Sequence, residues 1–232
     1  MPTIVLASSS PRRIELLTNA GFRPVVVSPD ADEAMLPREA PRSMVARLAR
    51  DKAEAVAARI LAGLVAGIPS DQGTVIIAAD TTVVAPDGRK ILGKPTSEKD
   101  ARKMLGVLQG RAHEVFTGYC ILKLDPPARG ASTRGKKSSS PFRSHILVRV
   151  VRTKVKMRAL SREAIADYVR SGEPMDKAGA YGAQGIGMGL IESLNGSYAN
   201  VVGLPICQVL SDLEVKFKVS ARDHGQSRKR EK

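Results

Sequence analysis

Thr74-Val75-Ile76-Ile77-Ala78-Ala79 is an almost unbroken apolar run that ends on a charged residue, Asp80. A run of this kind, without polar alternation, reads as a strand buried on both faces. A strand buried on both faces is at home in the sheet of an α/β fold. In these sheets the ligand crevice lies outside the carboxyl ends of the strands, where Asp80 is well placed for chemistry. The plainer alternative is that Asp80 caps the turn that follows, a common role for Asp after a strand.

The neighbouring segments supply the rest of a sheet and its cover. Thr3 to Ala7 is a β-compatible run, and Val25 to Val27 is a shorter one. Val83-Val84, Pro86-Asp87-Gly88 and Ile91-Leu92 read as a hairpin with a glycine turn, and Lys94 follows at its base. Val115 to Leu124 and Ile146 to Met157 are two more strands. In the second, Val151, Thr153, Val155 and Met157 alternate with Arg152, Lys154, Lys156 and Arg158, so one face is wet. Helices are expected from Pro11, over Met44 to Leu61, from about Thr96/Ser97, from Leu160-Ser161 to Gly172, and from Ile206 to about Leu213.

Leu6-Ala7-Ser8-Ser9-Ser10-Pro11-Arg12-Arg13 carries the chain from strand through loop to helix. Ser10 suits the N-cap, and Pro11 falls at the first helical position, where its missing N–H costs nothing. Backbone N–H groups, the Ser8 to Ser10 hydroxyls and the Arg12 and Arg13 guanidiniums would converge on a small volume suited to a phosphate chain. The alternative is an ordinary capped helix with two solvated arginines.

Two further places could face the same crevice. Asp30, Asp32 and Glu33 follow a strand end, where loop carboxylates can reach a metal or remain a solvated acidic turn. On the helix from Met44 to Leu61, Lys52 shares the apolar stripe of Val45, Leu48, Ala49 and Val56. A lysine there either snorkels to water or projects into a cleft as a phosphate ligand. The run from Gly179 to Gly189 lies between charged residues and a strand, which allows close backbone approach to a ligand but also fits plain turns.

The chain has 232 residues, 43% hydrophobic and 26% charged, enough for one domain or two closely packed lobes. Aromatics are 3% with no Trp, so the core must be aliphatic. Cys120 and Cys207 form no metal or redox spacing, and the three histidines are scattered. The net charge of +14 is concentrated in two segments. Pro126 to Arg158 holds ten Lys/Arg and no Asp/Glu, Glu214 to Lys232 holds seven against three, and the remainder is neutral. Non-specific polyanion binding would therefore come from appendages rather than from the fold. Asp125 to Ser144, rich in Pro, Gly, Ser, Lys and Arg, is expected to be a disordered loop. Residues 1–213 read as one domain carrying that insert at about 125–145, followed by a basic tail over 214–232 that frays. No apolar run is long enough for a membrane span or a signal peptide, so a cytoplasmic location is expected.

Five segments in order resemble the Maf family of nucleoside triphosphate pyrophosphatases. They are Leu6 to Arg13, Asp30 to Glu33, Asp51-Lys52-Ala53, Ala78-Ala79-Asp80-Thr81 with Leu92-Gly93-Lys94-Pro95, and Gly172-Glu173-Pro174 through Gln184-Gly185. The resemblance covers most of the chain. It implies a mixed twisted sheet with flanking helices, two lobes around a central cleft, like the Maf and inosine-triphosphatase architecture. It also implies hydrolysis of a nucleoside triphosphate to the monophosphate and pyrophosphate. By the same resemblance Asp80 accepts the proton of the attacking water or shares a divalent cation, Mg²⁺ or Mn²⁺, with Glu33. Ser8, Ser10, Arg13, Lys52 and Lys94 hold the phosphates. Arg12, Thr81 and Gln184 match positions that look diagnostic of the dTTP/UTP branch, and Gln184 can complement a uracil or thymine edge. Ala183 stands where the family usually has a larger aliphatic residue, and the insert departs from the family's short connection. Family members often look dimeric, so a homodimer is expected. The alternative is a non-enzymatic interaction or nucleic-acid-binding protein linked to cell division, acting through the basic insert and tail.

Overall fold

The computed structural model of the chain describes residues 1–69, 72–126 and 144–221. Thr3–Ala7 forms β1, Val25–Val27 β2 and Thr74–Val84 β3, with β1 parallel to both and Ala7 beside Ala78. The expected buried strand is β3, but it does not stop at Asp80. It runs on to Val84 because Ala112–Leu124 (β5) pairs antiparallel along its whole length, Asp80 opposite Gly118 and Val84 opposite Glu114. Asp80 still lies past the end of β1, so the crevice at that strand end is retained on one side.

Ser144–Met157 (β6) pairs antiparallel with β5, Ile91–Leu92 (β4) forms the expected hairpin with β3, and Ile191–Asn195 (β7) pairs with the end of β6. The sheet has seven strands in the order β2-β1-β3-β5-β6-β7, with β4 on β3. This is the expected mixed α/β sheet with flanking helices. The segment expected to be a disordered loop falls between β5 and β6, and 127–143 lie outside the described residues.

Each face of the parallel half has its own core. Pro41–Leu61 (α2) lays Ala49, Ala53 and Val56 against Val5, Ala7, Ile76 and Ala78. This helix starts three residues before the expected Met44, since Pro41 takes the first helical position. On the opposite face Pro11–Asn19 (α1) supplies Leu17, which joins Leu204, Val209 and Leu213 over Leu6 and Ile77. Beyond Asp80 a third core gathers Glu98–Leu108 (α3) and Arg162–Arg170 (α4) with Val83, Leu92, Val115 and Val155. Ser97 and Ser161 cap these helices through Asp100 N and Ala164 N. Met104 packs against this third core, as expected. Long β3, β5 and β6 therefore join two lobes, and the cleft opens between them.

Two further details differ from expectation. A short helix, Tyr198–Val202 (α5), precedes the last helix, Ile206–Asp212 (α6), and ends at Gly203 with φ of +130°. The chain does not fray from residue 214. A π-helical turn over Leu213–Phe217 prolongs α6, and Phe217 and Val219 are buried, so apolar side chains anchor the start of the expected tail. Residues 222–232 lie outside the described residues.

Candidate active site

A cleft of about 770 Å³ separates the lobes, and the ten residues given roles by the resemblance line it, Ser8, Ser10, Arg12, Arg13, Glu33, Lys52, Asp80, Thr81, Lys94 and Gln184, whereas Asp30 and Asp32 of the acidic turn do not. At its floor the Lys52 ammonium donates to Asp80 Oδ1 at 2.7 Å and pairs with Glu33 Oε1 at 2.8 Å. Lys52 is 4% exposed, so it does not snorkel to water. Its side chain projects back towards the start of α2, as helical side chains do, and so reaches the strand beneath. Glu33 comes from the loop after β2 and is more exposed. Burial alone would raise its carboxyl, but the hydrogen bond and charge of Lys52, with Lys94 and Arg13, hold it below the ordinary value. Asp32, by contrast, turns back to accept from Ala34 N.

Arg13 is fixed on three sides. Its Nε donates to Gly203 O at 2.8 Å, Nη1 to Ser8 Oγ at 3.3 Å and Nη2 to Thr81 Oγ1 at 3.2 Å. Thr81 Oγ1 in turn shares a 2.9 Å hydrogen bond with Thr117 Oγ1, and Thr117 donates to the Asn200 carbonyl at 2.8 Å. Asn200, fully buried, donates through Nδ2 to Val115 O and to Thr153 Oγ1. Burial lowers the Arg13 guanidinium from its ordinary value; the charge of Asp80 opposes this and that of Arg12 adds to it. Ser10 is the residue before α1, yet its hydroxyl makes no capping bond, and Ser8 Oγ accepts from Ser10 N instead. The expected capping hydrogen bond is therefore not made.

Arg12 also lines the cleft, and its Nη1 pairs with Asp176 Oδ2 at 2.9 Å. Lys177 donates to Asp176 Oδ1 and to the Glu173 carbonyl, both at 2.6 Å, and also lines the cleft. Lys94 is exposed at the base of the hairpin, while Gln184 is half-buried. The floor thus carries Lys52 between two carboxylates, and Gln184 lines the cleft together with Gly182, Lys177 and the Arg12–Asp176 pair.

Sequence reasoning passed over Lys177, Thr117 and Asn200. Their side chains come from strands and loops far apart in the chain, and only folding brings them together. Gly118 left a readable sign, a glycine inside an apolar strand, which marks close backbone approach. A Cβ at 118 would run into the Val45 carbonyl, so α2 rests directly on β5 opposite Asp80.

Among the described residues, no three His, Cys, Asp or Glu side chains gather as a metal-holding group. Lys52 occupies one oxygen of Glu33 and one of Asp80 and leaves the second oxygen of each. Two carboxylates with one free oxygen apiece fit Mg²⁺ or Mn²⁺ carried by a triphosphate, since Mg²⁺ keeps most of its ligands as water and phosphate.

The sequence matches the family described as Maf-like protein over residues 3–215. It is 43% identical over 210 residues to the dTTP/UTP pyrophosphatase of Geobacter sulfurreducens, covering 90% of this chain and 94% of that protein. It is 45% identical over 210 residues to the protein of the same name from Geobacter metallireducens, with the same coverage. With that of Sphingopyxis alaskensis it shares 44% identity over 207 residues, 89% of this chain and 92% of the relative.

Proposed function

The chain belongs to the Maf-like family, and on that premise we propose that it hydrolyses dTTP, UTP and related modified pyrimidine nucleotides to the monophosphate and pyrophosphate. The relatives' names support the hydrolase over an interaction protein acting through the basic appendages. The observation that carries the reading is the Glu33–Lys52–Asp80 cluster at the cleft floor with Arg13 held beside it.

Water attacks the α-phosphorus, the bond to the oxygen bridging α and β phosphorus breaks, and pyrophosphate leaves with that oxygen. Asp80 either takes the proton of the attacking water or would share a cation with Glu33; the Lys52 ammonium on one of its oxygens, which keeps it oriented, supports the reading. Lys52, Lys94 and Arg13 draw the triphosphate in and offset its charge, and the Ser8 and Ser10 hydroxyls add donors. Glu33 and Asp80 would hold Mg²⁺ or Mn²⁺, which would neutralise charge on the phosphate oxygens. Gln184, with Arg12 and Thr81, is assigned to the base; its amide offers both a donor and an acceptor to a uracil or thymine edge.

We extend the reading to nucleotide-pool housecleaning in the cytoplasm. Two free cysteines support a reducing compartment, and among the described residues no helix is long and apolar enough to cross a membrane. A homodimer belongs to the same reading. Its support is the outer edge of β6, where β7 pairs only from Lys154 onward, and sedimentation velocity tests it. The basic insert and tail are assigned no more than weak, salt-sensitive contact with nucleic acid, on their charge alone.

The test is pyrophosphate release from a panel of nucleoside triphosphates with Mg²⁺ or Mn²⁺, comparing wild type with Asp80→Asn. Release that favours dTTP and UTP and is lost in the variant is expected. Well-folded wild type that releases pyrophosphate from none of them overturns the assignment.

A further inference from the structure

Gln184 sits in a loop whose main chain is tied on both flanks. Ahead of it, Gly182 N donates to Tyr168 Oη at 3.1 Å, and the Ala183 carbonyl accepts from Tyr198 Oη at 2.9 Å. Behind it, Ile186 N donates to Glu173 Oε2 at 2.8 Å and Gly187 N to Glu173 Oε1 at 2.9 Å. Tyr168 Oη also donates to Glu173 Oε1 at 2.9 Å, so the tie ahead of Gln184 and the tie behind it meet at one carboxylate.

The surrounding sequence makes room for this contact. A Cβ on Gly185, whose φ is +66°, would lie 2.6 Å from Glu173 Oε2, and one on Gly187 would lie 2.6 Å from Tyr168 Oη. The Glu173 main chain is held in turn by the Lys177 ammonium on its carbonyl at 2.6 Å. Burial alone would raise the Glu173 carboxyl. The hydrogen bonds from Gly187, Ile186 and Tyr168, with the charge of Lys177, keep it below its ordinary value and therefore an acceptor at neutral pH. Neither Glu173 nor Tyr168 is among the residues lining the cleft.

We propose that Glu173 is a positioning residue that sets base selectivity: through its ties to Ile186, Gly187 and Tyr168 it fixes the depth and angle at which Gln184 meets the base. The proposal rests on the reading of the cleft as a pyrimidine nucleotide site. A loop released from the carboxylate still closes the cleft, but Gln184 then samples several positions and distinguishes base edges less well. Catalysis at the floor, on α2 and β3, keeps its geometry because no tie runs from Glu173 to Lys52 or Asp80.

The test uses Glu173→Gln, which keeps size but turns an NH₂ towards a main-chain N–H, and Tyr168→Phe, which removes the shared phenol oxygen. Steady-state kinetics with dTTP, UTP, dCTP and dATP, together with amide hydrogen exchange over 182–187, are measured on the full chain. In Glu173→Gln the KM for dTTP and UTP is expected to rise about fivefold with kcat within about twofold. The preference for dTTP over dCTP should fall about fivefold, and the Ile186 and Gly187 amides should exchange faster. Unchanged preference, or an equal loss of kcat on all four nucleotides, overturns the proposal, as does unchanged exchange. If Glu173→Gln does not fold, the same outcomes in Tyr168→Phe decide. Wild type inactive on every nucleotide would instead overturn the functional reading, with the exchange data still deciding whether the tie exists.

Discussion

The Lys52 ammonium bridges Asp80 and Glu33, 2.7 Å from one carboxylate and 2.8 Å from the other, so the cleft floor carries its own cation between the two acidic side chains. A divalent ion approaching alone meets that positive charge at short range, whereas one arriving on a triphosphate brings compensating negative charge. Mn²⁺ should therefore bind the free protein weakly and bind well once a non-hydrolysable dTTP analogue is present. Lys52→Met should tighten Mn²⁺ binding to the nucleotide-free protein about tenfold or more while pyrophosphate release falls about a hundredfold. Mn²⁺ titration followed by electron paramagnetic resonance measures the first. Equal affinity in wild type and variant would show that Lys52 does not guard the carboxylates.

Arg13 reaches Gly203 O, Ser8 Oγ and Thr81 Oγ1 with three different nitrogens. Only a planar fork meets three acceptors in fixed directions, and an ammonium keeps the charge without the geometry. Arg13→Lys should lose at least about tenfold in kcat/KM. Thr81→Val, which removes the hydroxyl between Arg13 and Thr117, should cost about 1–2 kcal/mol of stability as well. Kinetics and urea titration report the two. A fully active Arg13→Lys protein would reduce Arg13 to a simple positive charge.

The sequence made the floor of the cleft legible and left much of its support hidden, for a physical reason. Asp80, Lys52 and the Ser8-to-Arg13 stretch each sit on an element whose pattern is local: a buried run, an apolar stripe, a Pro at a helix start. Their meeting in one cleft followed from strand ends and family resemblance. Thr117, Asn200 and Thr153 belong to β5, α5 and β6, and their hydrogen bonds depend on a register that no local pattern encodes. Glu173 enters from the sequence only as part of the Gly172-Glu173-Pro174 match, and only the folded loop shows its oxygens accepting from Ile186 and Gly187. The extension of β3 past Asp80 was hidden likewise, because an Asp inside a strand is uncommon and only the pairing with β5 keeps it there.

His113 gives the fold a pH dependence away from the cleft floor. It is 2% exposed, its Nε2 shares a 2.7 Å hydrogen bond with Tyr181 Oη, and its Nδ1 has no partner among the described residues. Burial lowers its pKa from 6.5 to about 4, so the native state keeps it neutral where the unfolded chain takes up a proton. Between those values the unfolded state binds more protons, and stability falls as pH falls from about 6.5 towards 4. The loss amounts to about 3 kcal/mol at the acid end. Urea unfolding of wild type and His113→Gln at pH 7.0, 5.5 and 4.5 should show a shallower decline in the variant. Parallel declines would assign the acid sensitivity to carboxylates instead.

Gly118 lies opposite Asp80 across the β3–β5 ladder, and the main chain of α2 at Val45 rests directly on it. Adding a methyl group at this point pushes against a main-chain carbonyl near the start of a helix, which cannot rotate aside as a side chain would. The helix must lift or tilt, and Lys52, two turns further along the same face, moves with it. Gly118→Ala should therefore cost about 1–3 kcal/mol, lowering Tm by roughly 2–4 °C for each kcal/mol. It should also reduce kcat well beyond what lost folding explains, since a shift of α2 would carry the Lys52 ammonium away from its 2.7 Å contact with Asp80. Calorimetry and kinetics at a temperature where both proteins are fully folded separate the two effects. A variant that melts early yet turns over at the wild-type rate would show that Lys52 finds Asp80 without help from the helix seat.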